Sequence, residues 1–160
     1  MPSILFVCTA NQFRSPLSAA MLLKLAQLRD DLSSWTIESA GTWTTDGMPG
    51  LVLTQKIGAS LGLSGLDKHI TRQVSAELLR GYDLIIVMEA NHKEALCVEF
   101  KSAQPRIFML SEAIEGIQYD IPDPVVPGIR PDDVAIELST LMNKGANKIF
   151  NLAWKIHSSR

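Results

Sequence analysis

Four short runs rich in β-branched and other apolar residues, Ile4–Cys8, Trp35–Ala40, Asp83–Met88 and Arg106–Leu110, alternate along the chain with longer stretches of helical period. A strand apolar on both faces must be buried on both faces, so the alternation predicts a parallel sheet covered by helices. The length of 160 residues suits a single domain, 1–160, able to bury roughly 70% of the surface its unfolded chain would expose.

The helical stretches are read from the same periodicity. Leu17, Met21, Leu25 and Leu28 form one apolar face, with Lys24, Gln27 and Arg29 turned toward water. A second helix follows Pro49–Gly50, where Leu53, Ile57 and Leu61 recur at four-residue spacing, and a short one covers Ser75 to Arg80. Asn91 suits an N-cap for a helix running through His92, Ala95 and Leu96 toward Phe100. The last helix opens after Pro131 with Asp132 and Asp133 and carries Leu138, Leu141, Ile149, Leu152 and Ile156 inward. Gly145 within it costs about 1 kcal/mol relative to Ala. The segment Tyr119–Arg130 holds Pro122, Pro124 and Pro127 and is expected to be a loop after the fourth strand, at the same sheet edge as the loop after Cys8.

Composition excludes several classes. The balance of 15 basic and 17 acidic residues argues against a broadly basic nucleic-acid-binding surface. Cys8 and Cys97 are too few for a disulfide scaffold and have no zinc-site spacing with His69, His92 or His157. No apolar stretch approaches the ~20 residues of a membrane span, and Ile4–Cys8 is too short for a signal peptide, so a cytoplasmic protein beginning at Met1, without a metal or other cofactor, is expected.

The chemistry lies at the first strand-to-helix junction, Cys8-Thr9-Ala10-Asn11-Gln12-Phe13-Arg14-Ser15-Pro16. Five residues between a cysteine and an arginine can curl so that backbone N–H groups converge on an anion, with the following helix adding its positive end. Arg14 would close the ring with a fork matched to two phosphate oxygens. Cys8 at its floor would attack phosphorus as the thiolate, and Ser15 could donate to the sulfur when it leaves. Asn11 tolerates the left-handed conformation that a tight anion loop needs. Pro16 falls in the first helical turn, where its missing N–H is no loss. The competing reading of Cys8 is a buried strand-end thiol, and that of Arg14 a surface charge, although a cation there opposes the helix dipole.

A second cluster, Asp120-Ile121-Pro122-Asp123-Pro124, offers a carboxylic acid between two prolines. Cleaving a phosphate ester leaves an oxyanion that needs a proton, which Asp123 could supply. By itself it would read as a solvated turn aspartate.

With both motifs in one short chain, the sequence resembles the low-molecular-weight protein tyrosine phosphatases over essentially its whole length. Val7, Cys8, Asn11, Arg14, Ser15 and Pro16 match that family's opening pattern, Ser39-Ala40-Gly41-Thr42 its Ser-Ala-Gly-Thr, His69, Arg72 and Gln73 its His-x-x-Arg-Gln, and Asp123-Pro124 its Asp-Pro loop. The resemblance implies Cys8 as nucleophile, Arg14 as phosphoryl binder and Asp123 as general acid. It also implies that Asn11, Ser15, Ser39 and His69 form a network supporting a loop made of Thr9, Ala10, Asn11, Gln12 and Phe13. The expected architecture is a single-domain four-stranded parallel sheet in flavodoxin-like order 2-1-3-4, with helices on both faces. The expected partner is a phosphotyrosine protein or a small phosphomonoester, with neither nucleic acid nor membrane.

The chain departs from the pattern at Ala10 in place of Gly, Phe13 in place of a second Cys, Glu89 in place of Asp, and Val125 and Val126 in place of tyrosines. These changes leave the chemical groups in place but weaken the case for a phosphotyrosine preference, and Trp43 could line the entrance instead. Arsenate reduction on the same scaffold, which needs further cysteines, and a non-catalytic phosphate- or partner-binding module are the alternatives.

Overall fold

The computed structural model describes residues 1–29 and 35–160. Four strands, β1 (Ser3–Cys8), β2 (Thr36–Gly41), β3 (Leu84–Val87) and β4 (Ile107–Met109), form one all-parallel sheet in the order β2-β1-β3-β4. This is the expected α/β architecture, and each strand lies within a residue or two of its predicted run. The last run is shortened at both ends, because residues Lys101–Arg106 form a 3-10 helix and Leu110 opens a short helix.

The alternation of strand side chains divides the core in two. Ile4, Phe6, Cys8, Leu84, Ile86 and Met88 face one layer, against helices α1 (Arg14–Ala26) and α6 (Pro131–Ser159). Leu5, Val7, Ile85 and Val87 face the other, against α3 (Ala76–Arg80) and α4 (Ala90–Glu99). Helix α2 (Val52–Ser60) reaches the first layer through Ile57, and α5 (Leu110–Glu115) joins it through Leu110 and Ile114.

Helix α6 runs unbroken through Gly145. A Cβ there would lie 2.3 Å from Ile114 Cγ2, so the glycine permits close packing of α6 on α5 and its low propensity is offset by contact.

Three helix expectations need correction. Leu28 is 82% exposed, since α1 ends at Ala26 and the apolar stripe has no helix left to lie on. Leu53 is exposed, whereas Thr54, Ile57 and Gly58 face inward. Thr54 Oγ1 donates to the Gln12 carbonyl, which turns that face of α2 toward the loop after β1. Asn91 is not an N-cap. Helix α4 starts earlier because the Ala90 N–H is satisfied by Asp120 Oδ1 at 2.8 Å and Glu89 takes the cap position in an extended conformation.

Among the described residues, no helix is long and apolar enough to cross a membrane.

Candidate active site

Every segment that carries a predicted site residue ends at the carboxyl edge of the sheet or packs on it, where a parallel α/β fold gathers its loops. β1 is buried along its whole length and ends at Cys8; the chain then turns through Thr9–Phe13 into α1. Asn11 makes the turn. It is the one non-glycine residue with positive φ (59°) among those described, while Ala10 adopts no such conformation and accommodates its methyl without strain.

Asn11 is also the hub of the buried supports. Its Nδ2 donates to Ser15 Oγ (2.8 Å) and Ser39 Oγ (3.0 Å), and its Oδ1 accepts from the Arg72 N–H (2.9 Å). Its carbonyl oxygen lies 2.7 Å from His69 Nε2. A fully used amide in a site closed to water holds a left-handed backbone that would otherwise be sparsely populated. The residues that the sequence singled out at 11, 15, 39 and 69 are thus brought together. Cys8 Sγ joins them through Ser15 Oγ at 3.0 Å.

The segment after β2 ties down the loop's carbonyl groups, with Thr42 N–H donating to the Cys8 carbonyl (2.9 Å) and Trp43 N–H to that of Thr9 (3.0 Å). A Cβ on Gly41 would stand 2.6 Å from the Thr9 oxygen, so only glycine allows this approach. Phe13 is buried in the core beneath α1.

Arg14 is 2% exposed, yet its guanidinium has polar partners from two other loops. Nη1 donates to Glu89 Oε2 (2.6 Å) and to the Ile121 carbonyl (2.8 Å), and Nη2 lies 3.4 Å from Asp123 Oδ2. The Asp123 loop is itself secured: Ile121 N–H donates to the Met88 carbonyl, and Asp120 accepts the Ala90 N–H at the start of α4. The first and last motifs of the sequence therefore meet through one buried cation. The Asp123 carboxylate also accepts the Val125 N–H at 3.1 Å, a local turn of the kind expected beside proline.

Two neighbours of Arg14 were not recognised as site residues from sequence. Glu89 appeared only as a departure from a pattern, and His92 only as a helix residue. His92 is buried, with Nε2 2.9 Å from Thr9 Oγ1 and Nδ1 3.2 Å from the Glu89 N–H. Burial, then the Arg14 charge, lower its pKa to about 4 against the opposing pull of Glu89, Asp120 and Asp123. The one available signal was position: both residues follow β3 at the carboxyl edge.

Trp43 is 83% exposed and Val125 is 73% exposed, so neither packs into the body of the domain. Cys97 lies far from Cys8 in the layering, for it packs against the second core layer while Cys8 belongs to the first; both are free thiols.

Comparison with known proteins agrees with the architecture and the motifs. Residues 3–148 match the model of the low molecular weight phosphotyrosine protein phosphatase family. A protein-arginine-phosphatase of Geobacillus stearothermophilus is 29% identical over 147 residues, covering 91% of this chain and 95% of that protein. The low molecular weight protein-tyrosine-phosphatase Etp of Escherichia coli K12 is 32% identical over 122 residues, 76% of each chain. The solved structure of the YwlE arginine phosphatase from Geobacillus stearothermophilus superposes with a TM-score of 0.82 at 29% identity, covering 94% of both chains. With a parallel 2-1-3-4 sheet, a family match over nearly its whole length and relatives named as protein phosphatases, the chain belongs to the low molecular weight protein tyrosine phosphatase family and is a hydrolase.

Proposed function

We propose that the protein is a phosphomonoesterase acting on phosphoproteins through a cysteinyl-phosphate, with Cys8 as nucleophile, Arg14 as phosphoryl ligand and Asp123 as general acid. The observation that carries this reading is the buried Arg14 guanidinium, which joins the Cys8–Arg14 loop to the Asp123 loop. A planar fork at that point can present paired N–H donors to two phosphoryl oxygens.

In the first step the Cys8 thiolate attacks phosphorus, the ester P–O bond breaks, and Asp123 gives its proton to the departing oxygen. In the second, Asp123 takes a proton from water as the water oxygen attacks phosphorus. The S–P bond then breaks and inorganic phosphate leaves. The Ser15 hydroxyl, 3.0 Å from the sulfur, stabilises the returning thiolate. Loop N–H groups and Arg14 carry the charge that develops on the equatorial oxygens. No step calls for a metal or organic cofactor.

Phosphotyrosine in proteins is the substrate we assign first. Phosphoarginine is the second reading, favoured by the exposed Val125 and Val126 that follow Asp123-Pro124 where tyrosines were expected, and by relatives that are named arginine phosphatases. The arsenate reductase reading lacks a second thiol beside Cys8 to supply electrons to arsenic, since Cys97 packs on the opposite side of the sheet.

The test is hydrolysis of an activated aryl phosphate in the presence of a chelator, followed by kcat/KM on matched phosphotyrosine and phosphoarginine peptides. Turnover that is lost in Cys8→Ser supports the mechanism. No turnover of any phosphomonoester or of phosphoarginine, whose phosphorus sits on nitrogen, would favour a binding module, and strict dependence on a divalent cation would remove the thiolate mechanism.

A further inference from the structure

Helix α4 begins beside Arg14, and the imidazole in its first turn makes contacts that the mechanism leaves unused. His92 Nδ1 faces the backbone N–H of Glu89 at 3.2 Å. A peptide N–H can only donate, so Nδ1 must accept and the single proton of the neutral ring must sit on Nε2. That Nε2 lies 2.9 Å from Thr9 Oγ1 and 3.5 Å from Glu89 Oε2, so its main acceptor is the threonine oxygen. Glu89 Oε2 in turn takes Arg14 Nη1 at 2.6 Å.

One ring is thereby joined to both ends of the Cys8–Arg14 loop. Thr9 directly follows Cys8, and Arg14 closes the loop through Glu89.

We propose that His92 is a positioning residue for phosphoryl binding: as its Nε2–H tautomer it fixes the Thr9 hydroxyl as an acceptor from the ring, which leaves the Thr9 O–H free to donate, and keeps Glu89 seated against Arg14. The proposal rests on the reading of residues 8–14 as the phosphate loop. The arrangement works only while the ring is neutral. A proton on Nδ1 would confront the Glu89 N–H donor to donor and would add a second cation beside Arg14. The charged groups around the ring are Arg14, Glu89, Asp120 and Asp123, and burial with the Arg14 charge keeps the ring neutral down to about pH 4.

Three features of the surroundings agree with a positioning role rather than a packing one. The ring spans loops that are 83 residues apart in sequence. Both of its nitrogens are used. Neither contact adds apolar burial, since Thr9 and Glu89 present oxygen and N–H to it.

A double-mutant cycle tests this. His92→Asn retains a carbonyl oxygen near the place of Nδ1 but has no donor that reaches Thr9, and Thr9→Val removes the acceptor at nearly constant shape. Affinity for inorganic phosphate, measured by calorimetry on the otherwise unaltered protein, is expected to fall about tenfold in each single variant, the loss typical of one buried hydrogen bond. The double variant should bind no worse than the weaker single one, because both remove the same interaction. His92→Gln, whose amide nitrogen reaches the Nε2 position, should recover part of the loss. Nitrogen-15 NMR of the wild-type ring is expected to show the Nε2–H tautomer in the unmutated protein, whatever the stability of the variants.

Additive losses, unchanged phosphate affinity in both single variants, or the Nδ1–H tautomer in the wild type would each overturn the proposal. These readouts need no turnover. A protein that binds phosphate with coupled Thr9 and His92 but retains activity in Cys8→Ser would contradict the mechanism while leaving the positioning role intact.

Discussion

Asp83 leads into β3 at the amino edge of the sheet, and Glu89 follows the same strand at the carboxyl edge six residues later. Both are acidic side chains beside a closed core, but their surroundings differ. Asp83 is saturated: Oδ2 accepts from the Ser3 N–H (2.9 Å) and Ser3 Oγ (3.1 Å) and lies 3.0 Å from His157 Nδ1, while Oδ1 accepts from Arg160 (2.9 Å). His157 and Arg160 come from the end of α6, where cations also suit the helix dipole. Burial pushes the Asp83 pKa up, but the hydrogen bonds from Ser3, Arg160 and His157 outweigh it and hold the carboxyl below its ordinary value.

Glu89 instead belongs to a chain of polar groups that leads from His92 through Arg14 to Asp123, three loops converging on one guanidinium. A carboxylate that is fully matched by donors fastens the chain termini to the sheet. A cation held by carboxylates at the loop proposed to receive an anion would keep its fork for the phosphoryl group. On the proposed function, the amino edge stores stability and the carboxyl edge carries the reaction.

If that division is right, substitutions at the two edges should separate activity from stability. The largest effect is expected for Arg14→Lys, which keeps the charge but loses the planar fork. Its kcat/KM on an aryl phosphate should drop by a factor on the order of 10³, and a drop of less than tenfold would leave Arg14 a structural residue. Asp123→Asn should come next, at about 10²–10⁴-fold on substrates with poor leaving groups and far less on activated ones. Equal losses across a series of substituted phenyl phosphates would assign Asp123 to the turn it makes with Val125 alone.

At the opposite edge, Asp83→Asn should leave kcat/KM within twofold of wild type, and urea unfolding should show a loss of about 2 kcal/mol, since two of its partners, His157 and Arg160, are partly exposed and can be resolvated. A large loss of activity without a loss of stability would break the comparison.

The two edges should also separate by pH. His92 protonates near its ordinary value of 6.5 in the unfolded chain but only near 4 when folded. The unfolded state therefore binds more protons between those values, and stability falls as pH is lowered from 6.5 to 4. Asp83, whose folded pKa is lowered from an ordinary 3.8, contributes fully above that value and loses its contribution as pH falls through the folded pKa. Urea unfolding across pH should thus show a shallower slope in the upper window for His92→Asn and in the lower one for Asp83→Asn. The reverse assignment would contradict the contacts described.

The comparison has a redox side of smaller scope. With Phe13 in the core beside Arg14 and Cys97 on the other layer, an oxidised Cys8 has no thiol to pair with. Prolonged peroxide should carry it to sulfinic or sulfonic acid with little recovery on reduction. A stoichiometric Cys8–Cys97 bond in the mass spectrum would contradict the layering.

The strands were legible because burial on both faces writes near-continuous apolar runs into the sequence. That Cys8, Asn11, Arg14 and Asp123 would be gathered at one sheet edge was legible because the loop spacing and the strand-to-loop order place them there. What was not legible depends on contacts across long separations. Leu28 and Leu53 fit helical periods, but where α1 stops and which way α2 faces are decided by the end of the helix and by the bond from Thr54 to Gln12. The start of α4 was misplaced because the Ala90 N–H is satisfied by Asp120, thirty residues away, while Glu89 rather than Asn91 takes the cap position. Glu89 and His92 were not linked to Arg14 and Thr9 for the same reason, since those partners lie 75 and 83 residues earlier.

The central claim, that the carboxyl edge carries out phosphoryl transfer through Cys8, is tested most directly by trapping the intermediate. Asp123→Asn should still be phosphorylated by an activated aryl phosphate, whose leaving group needs no proton, but should hydrolyse the product slowly for want of a base. Acid-quenched mass spectrometry of that variant should find one phosphoryl group on the peptide containing Cys8 and none when Cys8→Ser is added. Phosphate on another residue, or steady turnover with no covalent adduct, would contradict the account.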